Sequence, residues 1–125
     1  VPLLYVGTDG KVYGRFKTAS TTAAPLTAGT DIRDGAWHYA ALSVTGDVQT
    51  LYVDKVKASS TALGVLDHSL LTYNQVGAAQ ATTGTGTWTN YGTPAKRFFN
   101  GGIDEVAVYN GELPASDIAD HAANP

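Results

Sequence analysis

The sequence predicts an all-β fold of short antiparallel strands with one short C-terminal helix, and three observations predict it. Hydrophobic residues are 43% of the 125-residue chain and charged residues only 15%. Thr, Ser, Asn, Gly and Ala must therefore finish the surface, which favours sheet over helix. Fourteen glycines punctuate the chain, and neither Cys nor Met occurs, as suits strands joined by tight turns without a disulfide framework. Residues 98–109, Phe-Phe-Asn-Gly-Gly-Ile-Asp-Glu-Val-Ala-Val-Tyr, gather β-branched and aromatic side chains around a Gly-Gly pair and predict a central strand.

Successive residues of a strand face opposite sides, so Asp104 is expected in one row with Val106 and Val108, and Glu105 in the other. An ionised carboxylate in an apolar row needs backbone donors, a cation or a metal. Backbone N–H groups, Arg97 or Lys96 are its candidate protein partners, whereas Glu105 is expected to be solvated.

The length predicts one domain over residues 1–125, enough to bury a core. The net charge is -3 and the eight Lys and Arg residues are scattered, with Lys96-Arg97 their one adjacent pair. That argues against nucleic acid as a partner, since binding it requires a basic stripe. No run of about 18 apolar residues is present to insert into a membrane. The chain begins at Val1 and has no Met, so it is expected to be a processed product or a piece of something longer.

The other elements follow in order. Residues 1–6 and 11–17 are strands, and Asp9-Gly10 between them predicts a type I′ hairpin turn. Residues 18–31 are a loop with one weak strand near Leu26. Residues 34–44 are apolar in both alternation registers, which predicts a central strand or a bulged one. Residues 45–47 turn the chain, and 48–56 form the next strand, antiparallel to it. Residues 57–72 lack regular alternation and suggest an ordered loop or short strand. Residues 74–79 are a strand, and 80–96 a long Thr/Gly-rich loop holding Trp88, Asn90 and Tyr91. Loops of that length are usually functional or disordered, and two aromatics argue against disorder. Asn110-Gly111 turns the chain into a helix over 114–121, with Pro114 in its first turn and Asp117 where a carboxylate favours the helix dipole.

Three of these segments together resemble a known family. Asp34-Gly35-Ala36-Trp37-His38 stands before a strand. Leu51-Tyr52-Val53-Asp54 follows, and then the run from Phe99 to Tyr109, with Leu113 and a short helix after it. In order and spacing they are similar to laminin G-like domains of the concanavalin A-like lectin/glucanase superfamily, and especially to bacterial versions of actinomycete type. The resemblance implies an antiparallel β-sandwich of jelly-roll form, acting as a binding module for glycans or proteins on a larger extracellular or cell-surface host. It also implies one structural calcium ion held with the help of Asp104; calcium takes about six to eight oxygens, so backbone carbonyls and early residues would complete the shell. Three departures stand out: Lys55 follows Asp54 where the family commonly has Gly, Pro114 replaces the usual Ser, and the family's opening strands lie ahead of Val1. A sandwich lacking those strands would expose edges that pair with another chain.

Trp88, Asn90 and Tyr91 are the candidate ligand-binding residues, because aromatic faces stack on pyranose C–H surfaces while an amide reads hydroxyls. The competing reading is that Trp88 folds back and plugs its own loop. Trp37 is expected to pack in the core or at its rim. His38, His68 and His121 lack metal-type spacing, which argues against zinc. No Ser lies in a nucleophile-elbow context, and the Gly84 and Gly86 pair lacks the strand and helix of a phosphate cradle.

Catalysis is not expected. Retaining glucanases of the same superfamily carry two carboxyl groups about 5 to 5.5 Å apart, from alternate positions on one strand face. Here the acids are adjacent, and no other segment places two carboxylates at i, i+2. The expected function is thus non-enzymatic recognition or adhesion, with a glycan as ligand. The alternative is a structural or assembly domain that pairs with another polypeptide through its sheet edges.

Overall fold

The computed structural model describes residues 4–19, 23–67, 75–80, 88–92 and 96–124. Eight strands and one helix follow in order. They are β1 (Leu4–Val6), β2 (Lys11–Gly14), β3 (Leu26–Asp31), β4 (Ala40–Thr45), β5 (Val48–Val53), β6 (Val56–Ala62), β7 (Ala78–Gln80), β8 (Lys96–Phe98) and α1 (Ala115–Ala123). Strands β1-β2-β3 form one antiparallel sheet, β4-β5-β6 a second, and β7-β8 a two-stranded ribbon. The result is an antiparallel β-sandwich with one short C-terminal helix.

Alternation in β2, β3 and β5 creates the core. Val12, Leu26 and Ala28 of the first sheet meet Leu51 and Val53 of the second, with Ile32, Leu42 and Leu63 packed around them. Leu51 is fully buried, as is Gln49 two residues before it on the same face. The Gln49 amide binds both main-chain groups of Phe16: its Oε1 accepts from Phe16 N at 2.7 Å and its Nε2 donates to Phe16 O at 3.2 Å. A buried amide with donor and acceptor both engaged ties the two sheets together without an unsatisfied group.

The β1-β2 hairpin forms with a four-residue loop, 7–10, in place of the expected two-residue turn. Only Gly10 has a positive φ there, +78°, while Gly7 N donates to Lys11 O at 2.8 Å. β4 and β5 pair antiparallel as expected, but Thr45 belongs to β4 and stands opposite Val48, so the turn is Gly46-Asp47 rather than 45–47. β4, however, is an edge strand rather than a central one, and its pairing with β5 runs without a bulge. The chain turns again at Asp54-Lys55, where Asp54 has a φ of +56°. Asp tolerates that left-handed conformation without glycine, so β6 begins at Val56 instead of β5 continuing to it. Of the ordered loop or short strand expected after residue 56, the strand forms as β6: Lys57, Ser59, Ser60 and Thr61 lack the apolar alternation of a core strand but suit a solvated edge.

The expected central strand over 98–109 does not form. Only Lys96–Phe98 is strand, and residues 102–109 are exposed and make no ladder. Glu105 takes a φ of +52°, which breaks the alternation that would have set Asp104 in line with Val106 and Val108. β-propensity measures fit to a pleated, half-buried surface, and among the described residues this segment has no paired neighbour to supply one. The strand expected at 74–79 is displaced to Ala78–Gln80, after a positive φ at Gly77. The C-terminal helix is close to its expected span, with Asp117 in its first turn and Ile118 buried. Residues 1–3, 68–74, 81–87 and 93–95, with His68 and the Gly84 and Gly86 pair, lie outside the described residues. Among the described residues no helix is long and apolar enough to cross a membrane.

Because Leu51 sits at zero exposure between the sheets, Leu51→Ala should destabilise the fold by about 2–5 kcal/mol. Urea unfolding of the two proteins is the check.

Candidate functional site

The outer face of the first sheet carries aromatic residues instead of solvent-facing polar ones. Tyr5 and Tyr13 are directly opposed across β1 and β2, and their rings stack at 5.2 Å with 12° between planes. Residues 88–92 lie over this pair. Trp88 meets Tyr5 edge-on at 6.1 Å and Tyr91 does so at 5.3 Å. Such pairs contribute about 0.5–1.5 kcal/mol each beyond the area they bury. Main-chain bonds fix the segment: Tyr5 OH donates to Thr89 O at 2.8 Å, Thr8 N to Asn90 O at 2.8 Å and Arg97 Nη1 to Tyr91 O at 2.7 Å.

Arg15, two residues beyond Tyr13 on the same face, is 1% exposed. Its guanidinium carbon lies 4.6 Å from the Trp88 ring centre and its Nη1 donates to Ala23 O. A cation over an indole, bonded to a carbonyl, is the arrangement that makes a buried guanidinium tolerable. Burial still holds the Arg15 pKa below its ordinary value, against the Tyr5 hydroxyl, which raises it. Burial, then Tyr13, pushes the Tyr5 hydroxyl well above the usual tyrosine range.

At the rim of this layer three polar side chains form a closed triangle. Tyr13 OH donates to Asp9 Oδ2 at 2.8 Å, and Asn90 Nδ2 donates to the same oxygen at 3.1 Å and to Tyr13 OH at 2.8 Å. Lys11 N donates to Asp9 Oδ1 at 3.3 Å, and Lys11 Nζ stands 3.9 Å from Oδ2. Burial pushes the Asp9 carboxyl up, but the bonds from Tyr13 and the Lys11 amide outweigh it and leave it below the ordinary carboxylate range. Gly7 makes the approach possible, since a Cβ there would lie 2.6 Å from both Asp9 Oδ1 and the Tyr13 ring. Arg33 braces the hairpin, binding Asp31 and the carbonyls of Thr8 and Asp9. Its bonds hold the Asp31 carboxyl down to about 2.

The expected ligand residues thus meet in one place but in different roles. Tyr91 is 6% exposed and its OH donates to Ala79 O at 2.8 Å. Trp88 is half-buried, covered by Arg15 on the ring, and its buried Nε1 has no acceptor among the described residues. Asn90, at a φ of +52°, is exposed. Asp9, Lys11 and Tyr13 complete the site and were not singled out from the sequence; the signal that could have found them is Tyr5 and Tyr13 placed symmetrically about a short hairpin loop.

Asp104 is exposed, and one of its oxygens accepts the Glu105 N–H at 2.9 Å. Among the described residues no three acid or imidazole side chains gather to hold a metal. The described surroundings of Asp104 therefore do not fit the oxygen shell of a calcium ion.

A second polar cluster lies ahead of β4. His38 is held between two carboxylates, Nε2 at 3.0 Å from Asp34 Oδ1 and Nδ1 at 3.2 Å from Asp54 Oδ2. Asp54 Oδ1 accepts Tyr39 N at 3.1 Å. Only the imidazolium has a donor for both carboxylates. Asp34, then Asp54, accordingly raises the His38 pKa above its ordinary value, while His38 lowers that of Asp34. Trp37 beside it is 71% exposed, not core.

Two packed antiparallel sheets, with residues 88–92 laid across one outer face and a polar cluster at the rim, define a β-sandwich of the lectin-like kind. A family model described as the concanavalin A-like lectin/glucanases superfamily, of laminin G type, matches residues 2–119, and the chain belongs to that family. Among solved structures it is similar to an S-layer domain-containing protein from Clostridium thermocellum, at 19% identity and a TM-score of 0.59. The match covers 90% of this chain and 50% of that one, so the chain spans about half the length of that neighbour. At this identity the likeness concerns the fold. No curated protein matches the chain.

The His38 clasp sets a pH dependence. Its folded pKa is raised, so its stabilisation is fully present below the unfolded value of about 6.5 and is lost as pH rises through the folded one. Thermal melts from about pH 5.5 to about pH 9 should show the wild-type Tm falling relative to that of His38→Gln.

Proposed function

We propose that this domain recognises glycans on an extracellular or cell-surface host protein, and that it binds without cleaving. The observation that carries this reading is the Asp9–Tyr13–Asn90 triangle on its aromatic floor. A sugar offers neighbouring hydroxyls that each donate and accept, and an amide beside an ionised carboxylate answers both needs at once. Asn90 is exposed and its Oδ1 accepts no hydrogen bond among the described residues. The Asp9 carboxylate and the Lys11 ammonium stand next to it. Because the triangle is fixed by its own bonds and by the segment beneath, a ligand loses little entropy in organising it. In this assignment Asn90 and Asp9 contact the sugar, the accessible part of Trp88 supplies apolar surface, and Tyr91 is the floor that holds them level.

Two features support binding without turnover. Asp34 and Asp54, the carboxylates that share a partner, do so across the His38 ring, and Asp34 is kept below the ordinary range where a general acid needs a raised pKa. Asp104 and Glu105 are exposed and adjacent in sequence, whereas a retaining pair faces one sugar from about 5 to 5.5 Å apart. Membership of a lectin-type superfamily and likeness to an S-layer domain-containing protein support a surface setting.

On a glycan array the protein should select a defined set of sugars, and calorimetry should show Asn90→Ala and Asp9→Ala each weakening the best ligand by about tenfold or more, roughly 1.4 kcal/mol, with the fold intact. Reducing ends should not accumulate with that glycan. Unchanged affinity in both variants would remove the triangle as the site.

A further inference from the structure

The segment left out of the sheets has a complement on the same molecule, at the opposite edge of the second sheet. Residues 103–109 expose Ile103, Val106, Val108 and Tyr109 at 44%, 60%, 94% and 50%, an apolar run larger than isolated surface residues explain. From residue 98 to the C-terminus the chain has no Lys or Arg but carries Asp104, Glu105, Glu112, Asp117 and Asp120. This acidic strip lies on the β4 side of its sheet: Gly102 sits under the Trp37 ring and Thr45 Oγ1 donates to Glu112 Oε2.

At the other edge, β6 has no ladder partner on its outer side among the described residues. It is flanked and lined by exposed Lys55, Val56, Lys57 and Ala58, and the Asp54 carboxylate, which also lines the groove, is engaged by His38 and the Tyr39 amide. A groove of about 300 Å³ opens there, with Gly29 and Thr30 of β3 as its other wall. Lysines on an edge strand discourage indiscriminate strand addition, but they turn into attraction when the incoming strand is acidic.

We propose that residues 103–109 of one copy dock along β6 of a second copy, with Asp104 and Glu105 against Lys55 and Lys57, so that the protein assembles head to tail. Charge complementarity selects this occupant. Two acidic strips repel each other, and so do two lysine edges, whereas strip against edge attracts. A single copy cannot satisfy itself, because the two surfaces lie at opposite edges of one sheet. Docking between copies aligns the second sheets edge to edge and leaves a free surface at each end, which is the geometry of an open, heterologous assembly. The apolar residues of the strip then enter the groove beside Val56.

Sedimentation of the full chain at rising concentration should show association that weakens with salt. Asp104→Lys with Glu105→Lys, and separately Lys55→Glu with Lys57→Glu, should each weaken association at least tenfold, because both place like charges together. Mixing the two variants should restore it, since each then offers the other an opposite charge at both junctions. A wild-type monomer at every concentration, charge reversals without effect, or no recovery on mixing would each overturn the proposal. Glycan affinity of both variants, whose substitutions avoid Asp9 and Asn90, should match the wild type, so the two readings stand or fall separately.

Discussion

The structure depends on the opposite orientation of two neighbours in β2. Val12 points between the sheets, where it joins Leu26, Ala28, Leu51 and Val53, and Tyr13 points outward, where it stacks on Tyr5 and bonds Asp9 and Asn90. One peptide step thus separates the core from the site. Because the side-chain period of a strand is two, a slip of one residue would exchange those faces. The Tyr5–Tyr13 pair and the Val12 contacts consequently hold the same register from both sides of one sheet.

Electrostatic arrangement follows from that division. Sheet faces in a sandwich are ordinarily apolar inside and wet outside, but here the outer face of the first sheet is itself covered, and it buries Arg15. The cost of a desolvated guanidinium is met locally by the Trp88 ring and the Ala23 carbonyl. Placing that cation under residues 88–92 helps fix the segment whose Asn90 reaches the rim. Asp9, Asp31 and Arg33 then lock the hairpin loop, so the triangle, exposed at Asn90 while Tyr13 is buried, rests on engaged groups. By contrast, residues 103–109 engage few groups and keep their apolar side chains in water, a distribution that favours contact with another chain over internal rigidity.

Particular residues show how far the sequence could be followed. Asp9-Gly10 marked the first hairpin and Gly46-Asp47 the second, because turn residues act locally through their own φ angles. Loop and short strand stayed open for the residues of β6 because Lys57, Ser59 and Thr61 carry no apolar rhythm; its strand character comes from pairing with β5, which is a tertiary fact. The reverse holds at 98–109, where Ile103, Val106 and Val108 have strong β-propensity but no paired neighbour among the described residues gives that propensity a surface to fit. Trp88, Asn90 and Tyr91 were visible as two aromatics and an amide in one loop. Their partners Asp9 and Tyr13 lie more than seventy residues away in sequence, beyond the reach of any local pattern.

By itself the sequence determined the all-β class, the main hairpins, the terminal helix and the loop that bears Trp88, Asn90 and Tyr91, since each rests on composition, period-two alternation, turn chemistry or helix-end preference over a few residues, while the sandwich was implied by the family resemblance. Only the tertiary structure decided that β5 is central, that Tyr91 lies beneath the site while Asn90 stands at its rim, and that the most strand-like segment stays unpaired. Those outcomes depend on which distant surfaces meet, and contact between distant surfaces is set by packing and charge across the whole fold, not by the propensity of any single stretch.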